Sequence, residues 1–258
     1  MKRKVRILVG DKPDLVERLC RTARSDQFVI TSADLAQAPL TRHDVVLPLT
    51  LTDHAALTQR IAAGEGVRAL LPSAEAVALC DDKLAFNQHL IRAGLGHLVP
   101  PLLPEDTPPP FILKQRRDAW GAKSRMVTDP DEARRLRPGP DWFRQAIVAG
   151  NREYALHVLM QGGLPIYHRL ITYHTFDQPY VLGKHQRPRS FDWSEGTEYL
   201  PALLPALQAV GWQDGLCCID FKLQGDQPLL FEVNPRLGVS LAGHPNGVLL
   251  AYTRALAA

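Results

Sequence analysis

Near the end of the chain, Ile219-Asp220-Phe221-Lys222 is followed after a short interval by Leu229-Leu230-Phe231-Glu232-Val233-Asn234-Pro235-Arg236. The pattern reads as a hairpin. Leu216 to Leu223 is apolar with alternating insertions, Gln224 to Pro228 carries turn chemistry, and Pro228 to Val233 is apolar again. Side chains alternate faces along a strand, so Glu232 and Asn234 share a face, and Arg236 continues it if the strand persists past Pro235. Asp220 on the partner strand can join them. A carboxylate inside Leu-Leu-Phe-Glu-Val is costly to bury without a partner. Two hard oxygen anions, an amide carbonyl and a nearby cation suit Mg²⁺ carrying a nucleotide phosphate.

A second group of residues could hold the phosphates themselves. Phe111-Ile112-Leu113-Lys114 reads as a strand ending in lysine, and the following loop holds Gly121, Lys123 and Ser124 before an apolar exit at Met126-Val127. A strand-end lysine gives a point charge, and loop amides can close over phosphate oxygens. The loop is not a Walker A motif, because the adjacent Gly-Lys and the upstream glycine are missing. Phe143 to Met160 reads as a strand, a Gly150-Asn151 turn and a second strand with Glu153 near its start. Such a hinge can pair with the edge of a flat ring through its backbone, and a carboxylate just beyond can take ribose hydroxyls.

The elements that must position these groups fall into two styles. The first part of the chain has an α/β rhythm, with strands at Arg6–Val9, Phe28–Ile30, Asp44–Leu47 and Ala69–Pro72 and helical patterns at Asp14–Arg24 and Leu57–Ala63. This alternation implies a parallel, doubly wound sheet, Rossmann-like in shape. The dinucleotide fingerprint is absent, so nicotinamide binding is unsupported. From Ser73 the pattern changes: one helix begins there, and Asp81-Asp82-Lys83 opens another with Leu84, Phe86, Leu90 and Ile91 on one face and its end at Gly94. Six of the eleven residues from Pro100 to Pro110 are proline, which reads as a linker between lobes.

Composition excludes several classes. The chain has 258 residues, 45% of them hydrophobic and 22% charged, with a formal net charge of +3. That balance is too weak for nucleic-acid binding, which wants a clustered basic face. No apolar run approaches the roughly 20 residues of a membrane helix. Four cysteines lack metal spacing, and nine histidines show no HxH or HExxH pattern, so zinc is rejected and a reducing cytoplasm is expected.

In order, the pieces are Lys83 at a helix start, Lys114 with its covering loop to Ser124, the hinge from Gln145 to Glu153, and the Asp/Glu/Asn/Arg hairpin. In this order the chain resembles the ATP-grasp family over roughly residues 79–258. The tail Glu232-Val233-Asn234-Pro235-Arg236, followed by Gly238, Ser240 and Asn246-Gly247-Val248, is similar to the branch containing carbamoyl-phosphate synthetase, biotin carboxylase and pyrrolysine-type amide ligases. The resemblance implies an α/β chain in which a Rossmann-like domain, residues 1–78, precedes a two-lobed α+β ATP-grasp module, residues 79–258. Within the module, 111–147 would form a small lid and 148–258 the metal-binding lobe.

It further implies ATP and two Mg²⁺ ions, with Mn²⁺ an acceptable substitute. Lys83 and Lys114 would contact phosphates, the loop of Gly121, Lys123 and Ser124 would cover them, and Gln145, Ile147, Val148 and Glu153 would hold adenosine. Asp220, Glu232 and Asn234 would hold metal, and Arg236 would face an acyl phosphate. Two departures stand out: the loop carries Trp120 where glycine is usual, and the hinge begins with Gln145 where glutamate is common.

The expected activity is ATP-dependent joining of a small carboxylic or amino acid to an amine through an acyl phosphate. Its partners would be small molecules, with no nucleic acid or membrane, and a homodimer is compatible. A non-catalytic nucleotide-binding module and an acid–thiol ligase or carboxylase-type enzyme remain open alternatives. Tyr167-His168-Arg169, His174, Lys184 to Arg189 and Trp193 form the candidate substrate segment, whose arginines either fork onto an anion or face water.

Overall fold

The computed structural model describes residues 3–118, 121–176 and 188–257. Trp120 of the covering loop, and Lys184 and Arg187 of the substrate segment, lie outside the described residues.

The chain opens with β1 (Val5–Val9), α1 (Pro13–Thr22), β2 (Phe28–Ser32), β3 (Val45–Leu47) and α2 (Leu51–Ala62). The three strands form a parallel sheet of order β2-β1-β3. The sheet buries Ile7, Val9, Val45 and Leu47 on one side against α1, and Leu8 and Val46 on the other against Leu57 of α2. This is the alternation expected of strands covered on both faces. The helix α2 starts six residues earlier than its apolar pattern suggests, because Thr50 and Asp53 form a reciprocal capping box. The fourth strand expected at Ala69–Pro72 is not formed. This stretch runs as irregular chain, with Arg68 O accepting from Val46 N just before it.

Two short helices follow, α3 (Ala74–Asp81) and α4 (Lys83–Arg92), capped by the Ser73 and Asp82 side chains. A four-stranded antiparallel sheet then combines β4 (Leu102–Leu103), β5 (Phe111–Gln115), β6 (Arg125–Val127) and β7 (Trp142–Gln145) in the order β4-β7-β5-β6, with the short helix α5 (Pro130–Arg135) beside it. The proline-rich stretch is therefore not only a connector. Leu102 and Leu103 pair with Gln145 and Arg144 at the sheet edge, a position that tolerates neighbouring prolines.

The remaining chain builds a five-stranded antiparallel sheet, order β10-β9-β8-β11-β12, from β8 (Arg152–Gln161), β9 (Leu164–His174), β10 (Ser190–Ser194), β11 (Gly215–Gln224) and β12 (Gln227–Asn234). Its two faces have separate tasks. Tyr154, Leu156, Val158 and Met160 alternate with Cys217, Ile219 and Phe221 into a core closed by α3, α4 and α6 (Leu200–Ala209). The opposite face carries the polar residues discussed below and, further along, packs Leu159 and Leu216 against α7 (Asn246–Ala255) and the N-terminal sheet. Among the described residues, no helix is long and apolar enough to cross a membrane.

Candidate functional site

The hairpin of β11 and β12 sets Asp220 directly opposite Glu232 and Cys218 opposite Asn234. The ladder is irregular at one point. Phe221 pairs with Leu230, so Phe231 is an extra residue on β12, and it puts its ring 5.1 Å from the Lys114 ammonium. Asn234 Nδ2 donates to Asp220 Oδ2 at 3.0 Å and to Glu232 Oε1 at 2.9 Å. Glu232 Oε2 lies 3.1 Å from Lys83 Nζ, which also donates to the backbone carbonyl of Asp118 at 2.6 Å.

The two carboxylates are in unlike states. Burial raises the Asp220 carboxyl well above the ordinary carboxylate range, and the neighbouring Glu232 and Glu153 push it further. Burial also opposes ionisation of Glu232, but Lys83, the Asn234 amide and Lys114 outweigh it and hold this group below its usual value. The pair has the donor chemistry of a hard divalent cation site: adjacent carboxylates and an amide that offers its oxygen after a half-turn. The Glu232 side chain keeps 21% of its surface open, so a ligand can reach it. Among the described residues, no group of three or more His, Cys, Asp and Glu is arranged to hold a metal ion by itself, and the candidate donor set is two carboxylates and an amide.

Lys114 lies one residue before the end of β5, which runs on to Gln115, and it is nearly buried and already engaged. Its ammonium donates to Gln145 Oε1 at 3.0 Å; Gln145 Nε2 donates to Asn87 Oδ1 at 2.8 Å and to Pro100 O at 3.0 Å; Asn87 Nδ2 donates to Lys83 O at 2.7 Å. This buried relay ties the two lysines into one frame. Burial pushes Lys114 down to about 8, with Lys83 adding to the shift and Glu232, Glu153 and Asp220 opposing it. Gln145 thus spends its side chain on holding Lys114, and only its backbone borders the hinge. The loop after β5 is docked on α4: Arg116 makes a two-pronged contact with Asp82, the residue that caps the helix. Lys123 is exposed, with its backbone N–H on Asp118 Oδ2, Ser124 is buried, and Gly121 has φ +59°.

Ile147 and Val148 are half-buried in the segment joining the four-stranded to the five-stranded sheet. Glu153 follows at the start of β8, on the same face as Asp220. Burial pushes its carboxyl up to about 7, against the pull of Lys222 and Lys114. Lys222 Nζ also donates to Gly150 O at 3.1 Å, linking β11 to the hinge.

Arg236 is placed differently from the strand-face expectation. β12 ends at Asn234, and the Arg236 N–H turns back onto Asn234 O at 2.9 Å. Its side chain lies among Leu47, Pro48, His54 and Pro72 at the carboxyl ends of the parallel strands, near Lys12. Deeper in the five-stranded sheet, His157 is fully buried with Nε2 2.9 Å from Ser240 Oγ, and burial pushes its imidazole down to about 3. Gly238 is required there, since a Cβ at that position would run into the His157 ring. Sequence reading missed Asn87, Phe231, Lys222 and His157; of these only the His in an apolar run carried a local signal.

No family model matches the sequence, and neither does any curated protein sequence. Solved structures do resemble it along its whole length. D-alanine–D-alanine ligase from Bacillus anthracis superposes with a TM-score of 0.63 at 13% identity, covering 99% of this chain and 95% of that one. A biotin carboxylase complex from Campylobacter jejuni gives 0.62 at 16% identity, with 98% and 71% covered. L-amino acid ligase from Bacillus licheniformis gives 0.59 at 17% identity, with 99% and 75% covered. The chain therefore shares its fold with these solved structures, in line with the resemblance its motifs carry.

Proposed function

We propose that this chain is an ATP-dependent carboxylate–amine ligase that releases ADP and phosphate. One observation carries the reading. Asp220 and Glu232 face each other on the five-stranded sheet, and Lys83 and Lys114, locked in one buried relay, meet them across the cleft. A cation pair set against a carboxylate pair is the charge pattern of phosphoryl transfer, which is mostly positioning and neutralisation. The fold shared with solved ligases supports the same reaction class.

In this reading Lys114 and Lys83 orient the phosphates, the hinge backbone at Ile147 and Val148 meets the adenine edge, and Glu153 accepts from ribose hydroxyls. Asp220, Glu232 and Asn234 hold Mg²⁺, which when bound neutralises phosphate charge. Arg236 stands at the seam between the parallel strands and the metal hairpin, where it stabilises oxygen charge on the activated carboxylate. The Asp118 end of the covering loop, held by Lys83, would help to exclude water from an intermediate that water would destroy.

The test is nucleotide release with a panel of amino acids and carboxylic acids. ADP and phosphate should appear, with ¹⁸O from the substrate carboxylate in the phosphate. AMP, or phosphate without ¹⁸O, would overturn the mechanism. Arg236→Lys should lower kcat more than it weakens ATP binding, because lysine keeps the charge but loses the planar fork.

A further inference from the structure

Each of the four carboxylate oxygens of Asp220 and Glu232 has a donor of the protein on it. Cys218 Sγ lies 3.5 Å from Asp220 Oδ1, the Asn234 amide spans Asp220 Oδ2 and Glu232 Oε1 at 3.0 and 2.9 Å, and Lys83 Nζ lies 3.1 Å from Glu232 Oε2. The thiol and the amide are neutral, and the amide offers its oxygen after a half-turn. Lys83 is a full positive charge on an oxygen that the proposed Mg²⁺ would take. Mg²⁺ contacts its oxygens at roughly 2.1 Å, so the two positive charges compete for this one. Lys83 is held in a way that permits a change of partner. Its backbone is fixed at the start of α4, with the N–H donating to Arg116 O at 2.8 Å and the C=O accepting from Asn87 at 2.7 Å. Its ammonium has three donors, and one of them keeps a second contact, Asp118 O at 2.6 Å. Lys114 is different: its ammonium is bonded to Gln145, and among the described residues it makes no ion pair with either carboxylate.

We propose that Lys83 is an exchangeable cation: it neutralises Glu232 until a divalent metal displaces it from that carboxylate, and then, still anchored on the Asp118 carbonyl, it meets a phosphate of the nucleotide. Metal and phosphate are thereby linked through one side chain, since each favours the position of Lys83 that the other needs. Metal alone is held weakly, because it must first detach the ammonium. A nucleotide arriving with metal finds that ammonium released. Both halves of the exchange rest on the ligand roles proposed above for Glu232 and Lys83, and neither needs turnover.

The first test is binding of Mn²⁺ alone to the full chain, read from the electron paramagnetic resonance signal of the free ion. Lys83→Met and Lys83→Gln should bind Mn²⁺ about tenfold more tightly than wild type, because the competing ammonium is gone. Lys83→Arg keeps the charge and should stay near wild type, and Lys114→Met should gain far less. Equal gains in the Lys83 and Lys114 variants would reduce the effect to net charge and overturn the exchange, as would unchanged Mn²⁺ affinity in folded Lys83→Gln. Glu232→Gln should lose the ion; retention there would overturn the metal role of Glu232 and the exchange with it. The second test uses the wild type and does not depend on a variant folding. Acylation of Lys83 by a succinimidyl ester, read on its peptide by mass spectrometry, should be faster in saturating Mg²⁺ than in chelator. A non-hydrolysable ATP analogue added with the Mg²⁺ should slow it again. No acceleration by Mg²⁺ overturns the proposal, and acceleration that the analogue does not reverse overturns its phosphate half. Both tests met, with no ADP release from any mixture, would refute the ligase reading and leave the exchange standing.

Discussion

Asp220 and Glu232 are direct cross-strand partners, yet among the described residues only Glu232 has an ion-pair partner, Lys83 at 3.1 Å. Their substitutions should therefore differ in sign. Asp220→Asn removes a carboxylate that burial and its neighbours disfavour, and should stabilise the metal-free chain at neutral pH. A raised native pKa means the penalty exists only where the group must ionise, so the gain should fade as pH falls below the ordinary aspartate value near 4. Glu232→Gln strands Lys83 and should cost about 1–3 kcal/mol. Both variants should lose turnover. Urea melts in chelator-treated buffer at two pH values check the signs, and equal shifts for the two variants would refute the asymmetry.

If Lys114 contacts the nucleotide phosphates as proposed, it should give binding a pH limit. Its charged form is the one that attracts phosphate, and burial has brought it down to about 8. Raising pH through that value removes the charge, so affinity for a non-hydrolysable ATP analogue should decline above pH 8 and be flat below it. Lys114→Met should bind weakly, with this limb absent. Calorimetric titrations on both sides of the limit decide it; an unchanged limb in the variant would assign the effect elsewhere.

Gln145 keeps Lys114 in place through a neutral contact, and the choice of a neutral partner matters. Gln145→Glu would put a carboxylate 3.0 Å from the ammonium and should move the same limb to higher pH. Gln145→Leu leaves Lys114 Nζ, Asn87 Oδ1 and Pro100 O without this partner and should destabilise by about 2–4 kcal/mol. Denaturant unfolding measures the second effect; a cost below about 0.5 kcal/mol would show that water replaces the relay.

Gly10 has no room for a side chain, since a Cβ would meet the Asp53 carboxylate. That carboxylate accepts from Leu49 N at 3.0 Å and Thr50 N at 2.8 Å. Gly10→Ala should push Asp53 off these donors and cost about 1–3 kcal/mol. A thermal melt unchanged from wild type would disprove the close approach.

The parts of the site set by local periodicity were legible in the sequence. A carboxylate in an apolar run singled out this strand, and period-two counting put Glu232 and Asn234 on one face with Asp220 on the partner strand able to join them; that Asp220 stands directly opposite Glu232 came only with the ladder register. Lys83 and Lys114 were legible as a helix start and a strand end. The partners of Gln145 were not, because Asn87 and Pro100 come to it from other elements and no pattern around Gln145 names them. Arg236 defeated counting because the strand stops two residues before it. Ala69–Pro72 looks like a strand for its apolar content, but no ladder forms along it in the parallel sheet.

The bulge at Phe231 bears on how this hairpin should be aligned and edited. Leu230 and Val233 point into the core and Glu232 points into the cleft, so the ladder keeps the same phase before and after the extra residue. Phe231 is a spare link: excising it would turn the hairpin into a regular ladder and leave Asp220 still opposite Glu232. An insertion or deletion anywhere else in β12 would turn Glu232 inward. What the spare link adds is the ring under Lys114, so a chain shortened by this one residue should keep its carboxylates and lose only its aromatic floor.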